Sequence, residues 1–163
     1  MRQVKIESLT RDAFAPFGEF YDMVNPDGYA LSGAIHKFYP DRMTTVCGGR
    51  LAFSPLVVNR PQSMVIKQQE YHTTTEELIM PLDDDMIIHV APASGGTIVT
   101  DRAKAFLVPR STLVKLKTAV WHLAPLPATK DQLTALIILP ECTYANDCAV
   151  VDLSPDEQFE IVK

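Results

Sequence analysis

The stretch "QQEYHTTTEELIMPLDDD", residues 68–85, places one histidine and three glutamates within eight residues of a segment that otherwise has strand character. Successive side chains of a strand point to opposite faces, so Glu70 and His72, two residues apart, share a face. Carboxylate and imidazole groups on one face are suited to a divalent metal. The other interpretation is a row of solvated polar side chains on an exposed strand.

Short apolar runs of strand length recur on both sides of this stretch and are rich in Val, Ile, Leu and Thr, which favour strands. The predicted strands are Val4–Leu9, Leu51–Val58, Met64–Gln69, Leu78–Pro81, Met86–Ala91, Ala105–Val108, Leu113–Lys117, Leu133–Leu139 and Ala149–Leu153. Turn residues separate the runs, and twelve prolines would interrupt long helices. Two short helices are predicted, Arg11–Phe14 capped by Thr10 and Pro155–Phe159 capped by Ser154. The pattern indicates an all-β sandwich or barrel.

Length and composition limit the classes of function. A chain of 163 residues is expected to form a single domain over residues 1–163. Its net charge of −5 disfavours nucleic acid as a partner. No stretch approaches the roughly 18 apolar residues of a membrane helix, and we expect no membrane partner. The three cysteines have no Cys-x-x-Cys spacing, which favours a reducing, cytoplasmic location.

A second candidate ligand, His122, lies fifty residues beyond His72 in "KTAVWHLAPLP", residues 117–127. A turn at "TTTEE" can bring Glu76 or Glu77 back beside His72, and Asp84 follows in an acidic turn. The mixed nitrogen and oxygen ligands suit Zn, Mn, Ni or Fe(II), and ligand softness alone does not select among these metals.

The remaining histidines and the acidic turn are predicted to be structural. His89 lies in the apolar run "MIIHVAP" and His36 lies outside the candidate site. The three aspartates at residues 83–85 are expected to form a solvated turn, because a calcium loop needs bracketing oxygen ligands.

The spacing resembles the first cupin motif, Gly-x5-His-x-His-x3,4-Glu-x6-Gly, followed by one further histidine from a neighbouring strand. Glu70 stands at the first histidine of that motif, His72 at the second and Glu77 at the glutamate. Asp84 replaces the closing glycine, and His122 is the later histidine. The resemblance implies a cupin-like double-stranded β-helix, or jelly-roll barrel, with one or two short helices.

Segments along nearly the whole chain are similar to the ureidoglycolate lyase family, formerly called hydrolases. They are "LTRDAFAPFGEFYD" (9–22), "VVNR" (57–60), "EYHTTTEELIMP" (70–81), "KAFLVP" (104–109) with "VWH" (120–122), and "ANDC" (145–148). Leu123 stands where the family commonly has a second histidine. The resemblance implies a cytoplasmic homodimer that cleaves ureidoglycolate to glyoxylate and urea in purine and allantoin degradation.

The resemblance and the chemistry together define the expected roles. The reaction needs a base for the hydroxyl proton, an acid for the departing urea nitrogen and a cation for the substrate carboxylate. The expected metal ligands are Glu70, His72, Glu77 and His122. The expected catalytic residues are His72, His122, Glu77 and Lys117, and the substrate contacts are Arg60, Arg110 and the pocket wall at Trp121. Two alternatives stay open: another metal-dependent cupin enzyme, such as an isomerase, epimerase or dioxygenase, or a non-catalytic cupin that binds a small molecule.

Overall fold

The structure, a computed structural model, describes residues 1–163 and consists mainly of short strands. The strands are β1 (Arg2–Ser8), β2 (Gly18–Asp22), β3 (Leu31–Ser32), β4 (Lys37–Phe38), β5 (Leu51–Asn59), β6 (Val65–Ile66), β7 (Gln68–Tyr71), β8 (Glu77–Pro81), β9 (Met86–Val90), β10 (Lys104–Val108), β11 (Thr112–Leu116), β12 (Leu126–Pro127), β13 (Gln132–Pro140), β14 (Ala149–Asp152) and β15 (Phe159–Val162). All nine predicted strand regions contain strand, and the all-β prediction is confirmed.

Helix is limited to α1 (Arg11–Phe14), α2 (Thr143–Asn146) and one 3-10 turn at Thr100–Arg102. The prediction of α1 is confirmed: the Thr10 hydroxyl accepts a hydrogen bond from the backbone N–H of Ala13 at 3.3 Å, as an N-cap should. No helix has the length and apolar content needed to span a membrane.

The predicted helix at Pro155–Phe159 is wrong. Ser154 does bond the Glu157 carboxylate through both its N–H and its hydroxyl, but the chain makes only a turn there. Phe159 instead begins β15, in which Phe159 and Ile161 are buried and alternate with half-buried residues. Because β15 pairs in parallel with β1, the partner that fixes its conformation lies at the other end of the sequence.

Two curled sheets form the body of the fold. One has six strands in the order β12-β9-β10-β1-β15-β6, and the other has five in the order β2-β11-β8-β13-β5. Most pairs are antiparallel, but β1 runs parallel to both β10 and β15. Two-stranded sheets, β7 with β14 and β3 with β4, complete the architecture.

Two apolar cores lie on opposite faces of the six-stranded sheet. In β9, Ile88 belongs to the first core and the adjacent Ile87 to the second, as strand alternation requires. The first core also receives side chains of the five-stranded sheet, such as Ile79 and Ile137, so it joins the two sheets. Burial on both faces explains why every residue of β9 except His89 is apolar.

Gly18 allows the close strand approach that fixes the start of the five-stranded sheet. A Cβ at this position would lie 1.9 Å from the Lys115 carbonyl oxygen, which no side chain can accommodate without movement. Gly18 is paired with Leu116 of β11, and Leu116 is paired on its other side with Glu77 of β8. The glycine therefore helps to position the strand end from which Glu77 projects.

Candidate functional site

Three segments bring the candidate ligands together at one end of the β-structure. Glu70 lies in β7, His72 follows β7 directly, and Glu77 is the first residue of β8. His122 is joined to Glu70 by an antiparallel bridge, in which the Glu70 N–H donates to the His122 carbonyl at 2.6 Å and the reverse bond measures 2.9 Å. We call Glu70, His72, Glu77 and His122 the ligand cluster.

Glu77 lies at the centre of the ligand cluster. Its Oε2 atom is 2.9 Å from Nε2 of His72 and 2.8 Å from Nε2 of His122. Oε1 of Glu70 lies 3.8 Å from Nε2 of His122. The two histidines and Glu77 are at most 5% exposed, and the Glu70 side chain is 14% exposed. Four potential ligands are thus shielded from bulk water.

Main-chain carbonyls fix the tautomers of both imidazoles. Nδ1 of His72 donates to the Asp147 carbonyl at 2.6 Å, and Nδ1 of His122 donates to the Val120 carbonyl at 2.9 Å. A carbonyl oxygen can only accept, so each Nδ1 carries a proton. In a neutral ring, Nε2 then carries an unprotonated lone pair, and this is the form of imidazole that binds a metal.

This arrangement requires a positive charge near Oε2 of Glu77. Two Nε2 lone pairs facing a carboxylate oxygen would repel it, unless the imidazoles gain protons or a cation lies between the groups. Ligand atoms of Glu70, His72 and His122 lie within 4.8 Å of one another, which is a suitable spacing for one metal ion. The donor set, with its carbonyl-held imidazoles, therefore fits a divalent metal.

The contacts between Glu77 and the two imidazoles shift the pKa values of all three groups. Burial alone would raise the pKa of Glu77, but the neighbouring His122 and His72 lower it to about 2, so the carboxyl is ionised. Burial opposes protonation of the imidazoles, yet their contacts with Glu77 raise the pKa of both His72 and His122. The ligand cluster is thus strongly attractive to positive charge.

Helix α2 and the residues after it cover the ligand cluster. The Asp147 carboxylate accepts four hydrogen bonds of 2.6–2.8 Å, from the N–H and hydroxyl groups of Thr73 and Thr74. Burial opposes ionisation of Asp147, but these bonds lower its pKa to about 2. The thiol of Cys148 donates to Oε2 of Glu70 at 3.2 Å, and burial followed by this contact raises its pKa to about 12. Cys148 is therefore a protonated thiol.

Comparison with known proteins identifies the family. The family model described as ureidoglycolate lyase matches residues 1–161. The chain belongs to the ureidoglycolate lyase family. Relatives named ureidoglycolate lyase include those of Pseudomonas aeruginosa strain UCBPP-PA14, 26% identical over 98% of this chain and 95% of the relative, and Azotobacter vinelandii, 27% identical over 98% and 97%. The relative from Rhodobacter capsulatus is 30% identical over 78% of this chain and 82% of its own length.

Solved structures of oxalate decarboxylase also resemble the chain. One, described with Mn(II) centres in the Bacillus subtilis enzyme, aligns with a TM-score of 0.45 and 17% identity. The alignment covers 64% of this chain and 24% of the decarboxylase chain, so the ureidoglycolate lyase family member spans about a quarter of that protein.

The arginines expected to bind substrate lie away from the ligand cluster in this ureidoglycolate lyase family member. Arg60 follows β5, where Asn59 pairs with Gln132 at the start of β13, whereas Leu78, next to Glu77, pairs with Ile138 near the other end of β13. At about 3.3 Å per residue these ends are roughly 20 Å apart. The Arg60 guanidinium donates to the Lys130 carbonyl. Arg110 likewise precedes β11, whose opposite end pairs with Glu77.

Trp121 and Lys117 are tied to other parts of the structure. Trp121 is fully buried in the second core, where its ring centroid lies 4.4 Å from that of the tilted Tyr71 ring, and it donates its indole N–H to the Ser94 hydroxyl at 2.8 Å. Lys117 donates through Nζ to the Ala15 carbonyl at 2.6 Å. Of the expected functional residues, the structure brings together the four candidate ligands and leaves these cationic and aromatic residues outside the cluster.

A cavity of about 740 Å³ is separate from the ligand cluster. It is lined by charged side chains that include Glu19, Glu76 and Lys115. Lys115 pairs with Leu78, while the next pair joins Leu116 to Glu77, so Lys115 and Glu77 point to opposite faces of the sheet. Lys115 therefore does not face the cluster.

The acidic turn differs from its expected solvated state. Asp84 is 6% exposed, and its carboxylate accepts hydrogen bonds from Thr129, Lys130 and Asp85. It follows the end of β8 opposite Glu77, so it is not part of the ligand cluster. His89 is also fully buried, with Nδ1 2.7 Å from the Gln69 amide nitrogen. Burial lowers the pKa of His89 to about 3, so its ring is neutral.

Proposed function

We propose that this protein cleaves ureidoglycolate to glyoxylate and urea. The observation that carries the proposal is the buried ligand cluster, with both imidazoles oriented by main-chain carbonyls, in a chain that matches the ureidoglycolate lyase family over residues 1–161. The reaction moves one proton from the substrate hydroxyl to the departing nitrogen while the carbon–nitrogen bond breaks, and a shielded acid–base site serves that purpose. The activity is expected to serve purine and allantoin degradation.

Glu70, His72 and His122 are the residues that would hold a divalent metal, because their ligand atoms lie within 4.8 Å of one another. Such a metal would polarise the substrate hydroxyl and lower its pKa. Zn, Mn, Ni and Fe(II) all accept this mixture of imidazole and carboxylate ligands. The carbonyl partners of the two Nδ1 atoms would keep the rings in the required orientation.

Glu77 is the proposed proton carrier. It is buried and adjacent to both imidazoles, so its carboxylate can accept the hydroxyl proton inside the site. The electron pair of the broken carbon–nitrogen bond then goes to the nitrogen, the hydroxyl oxygen becomes the aldehyde oxygen of glyoxylate, and Glu77 returns the proton to the nitrogen. One carboxylate thereby serves as base and acid in turn.

We also propose a cytoplasmic homodimer. Strand β5 ends the five-stranded sheet, and Phe53 and Val57 on it are 65% and 55% exposed. A long exposed apolar edge favours pairing with another chain, and a second copy would cover it. The three cysteines form no disulfide, in keeping with a reducing compartment. Light scattering at micromolar concentration tests the dimer, and a particle of only 18.1 kDa would contradict it.

The activity test supplies ureidoglycolate together with Mn²⁺, Ni²⁺ or Zn²⁺ and measures urea, glyoxylate and ammonia. We expect urea and glyoxylate in equal amounts without ammonia, because the bond broken is the one between the hydroxyl-bearing carbon and nitrogen. His72→Ala and His122→Ala should abolish turnover. His36→Ala is the matched control, since His36 is exposed and outside the cluster. Urea release no faster than the spontaneous background with every metal would refute the proposal.

A further inference from the structure

The ligand cluster lacks a cationic side chain for the substrate carboxylate. Arg60 and Arg110 lie at the strand ends remote from the ligand cluster, and the cavity lined by Lys115 opens on the other face of the five-stranded sheet. The cluster itself contributes two carboxylates, Glu70 and Glu77, which would repel a third. A carboxylate bound there therefore needs a hydrogen-bond donor that the expected residues do not supply.

Tyr144 is in the right place to be that donor. It belongs to α2, and its ring stands edge-on to His72 with the ring centroids 6.4 Å apart and the planes at 86°. The residue is 61% exposed, whereas the histidines and Glu77 behind it are almost fully buried. Tyr144 therefore lies between the cluster and solvent, and its hydroxyl has no hydrogen-bond partner within the protein.

The position of Tyr144 is fixed by contacts on both sides of it. The buried Thr143 donates its hydroxyl to the Pro140 carbonyl at 2.7 Å. After the helix, the Asp147 carboxylate accepts the four bonds from Thr73 and Thr74 described above, and its carbonyl accepts the bond from His72. The short helix is thus attached directly to the loop that carries a ligand, which holds the phenol beside the site.

We propose that Tyr144 is a specificity-determining residue that donates its hydroxyl hydrogen bond to the carboxylate of a small 2-hydroxy acid bound at the ligand cluster. The assignment rests on the proposed function for the identity of that acid, ureidoglycolate. The phenol oxygen carries a proton at neutral pH, as a tyrosine hydroxyl ordinarily does, and can therefore donate. A neutral donor also costs less to desolvate beside the cluster than a lysine or arginine would.

The kinetic test compares Tyr144→Phe with the wild type in the metal-loaded protein. Losing one hydrogen bond to a charged group should raise KM for ureidoglycolate on the order of tenfold to a hundredfold, with kcat changed less than threefold. Tyr29→Phe is the matched control, because Tyr29 is similarly exposed at 66% and should leave both constants unchanged. A Tyr144→Phe variant with wild-type KM would overturn the assignment.

A binding measurement separates this assignment from the lyase reaction. Glycolate, which has the hydroxyl and carboxylate but no ureido group, is titrated into both metal-loaded proteins by calorimetry, with urea as the ligand lacking a carboxylate. Weaker glycolate binding by Tyr144→Phe supports the assignment even if the wild type releases no urea, an outcome that refutes only the lyase reaction. Equal glycolate binding by the two proteins, or no binding by the wild type, refutes the assignment.

Discussion

Replacing Asp84 should destabilise the protein substantially, although sequence patterning places it in a solvated turn. Its carboxylate accepts hydrogen bonds from the Thr129 N–H at 2.9 Å, the Thr129 hydroxyl at 2.5 Å, the Lys130 N–H at 2.8 Å and the Asp85 N–H at 2.9 Å. These bonds join the β8–β9 turn to the segment before β13. Removing the carboxylate leaves several N–H groups without an acceptor.

The lowered pKa of Asp84 gives the size of its contribution to the free energy of unfolding. Burial alone would raise the pKa of Asp84, but the bonds from Lys130 and Thr129 lower it from 3.8 to about 2. Since one pKa unit corresponds to about 1.4 kcal/mol, ionised Asp84 contributes roughly 2–3 kcal/mol to the free energy of unfolding. We expect Asp84→Asn to cost about 2 kcal/mol, and Asp84→Ala about 3 kcal/mol because it also removes the remaining acceptor.

The pH dependence follows from the direction of the shift. Between pH 2 and pH 4 the unfolded chain binds the Asp84 proton more readily than the folded one, so the stabilisation is complete above about pH 4 and is lost as the pH falls towards 2. Urea unfolding at pH 6 and pH 3 measures it, with the exposed Asp156→Asn as control. A penalty for Asp84→Asn that matched the control, or that stayed constant between these pH values, would refute the reasoning.

Three further changes test other parts of the structure. Gly18→Ala should lower the free energy of unfolding, measured in urea, by more than about 2 kcal/mol, because the added Cβ would meet the Lys115 carbonyl. Gly48→Ala is the control and should be close to neutral, because no atom lies within 4 Å of its added Cβ. Equal losses of stability in the two variants would contradict the strand packing. Burial lowers the pKa of His89 to about 3, so the wild type should lose stability as the pH falls below 6.5, and His89→Gln should flatten that slope. Excess Zn²⁺ or Ni²⁺ at 100 times its Kd should stabilise the wild type by about 2.7 kcal/mol, and His122→Ala should abolish the effect.

Strand period and turn residues were sufficient to predict most of the fold. The runs that became β5, β8 and β13 are long or flanked by strong breakers, and they pair with one another in the five-stranded sheet. The helix predicted over Pro155–Phe159 rests on a local signal, its serine cap, whereas β15, which begins at Phe159, is fixed by its parallel partner β1, which is distant in sequence. Strand β2 was missed for a related reason, since it follows α1 within four residues.

In the site, too, local spacing predicts some positions, whereas others depend on pairing between strands that are distant in sequence. Two-residue spacing predicted that Glu70 and His72 share a face, but it left open whether Glu76 or Glu77 joined them. Pairing with Leu116 turns Glu77 inward, while Glu76 accepts a hydrogen bond from the Thr45 hydroxyl at 3.0 Å. The arginines could not be placed from sequence, because composition does not reveal which strand end faces the site.

Helix α2 supports both the orientation of His72 and the position of Tyr144, which the proposed reaction needs. His72 depends on it, since the carbonyl that holds its Nδ1 proton belongs to Asp147, directly after the helix. Tyr144 depends on it as well, since the phenol projects from its second residue. His122, by contrast, takes its carbonyl partner from Val120 in its own segment. A shift of α2 would therefore disturb one ligand and the proposed carboxylate donor together and leave the other imidazole in place, so metal affinity and substrate KM should change jointly when the attachment of Asp147 to Thr73 and Thr74 is weakened.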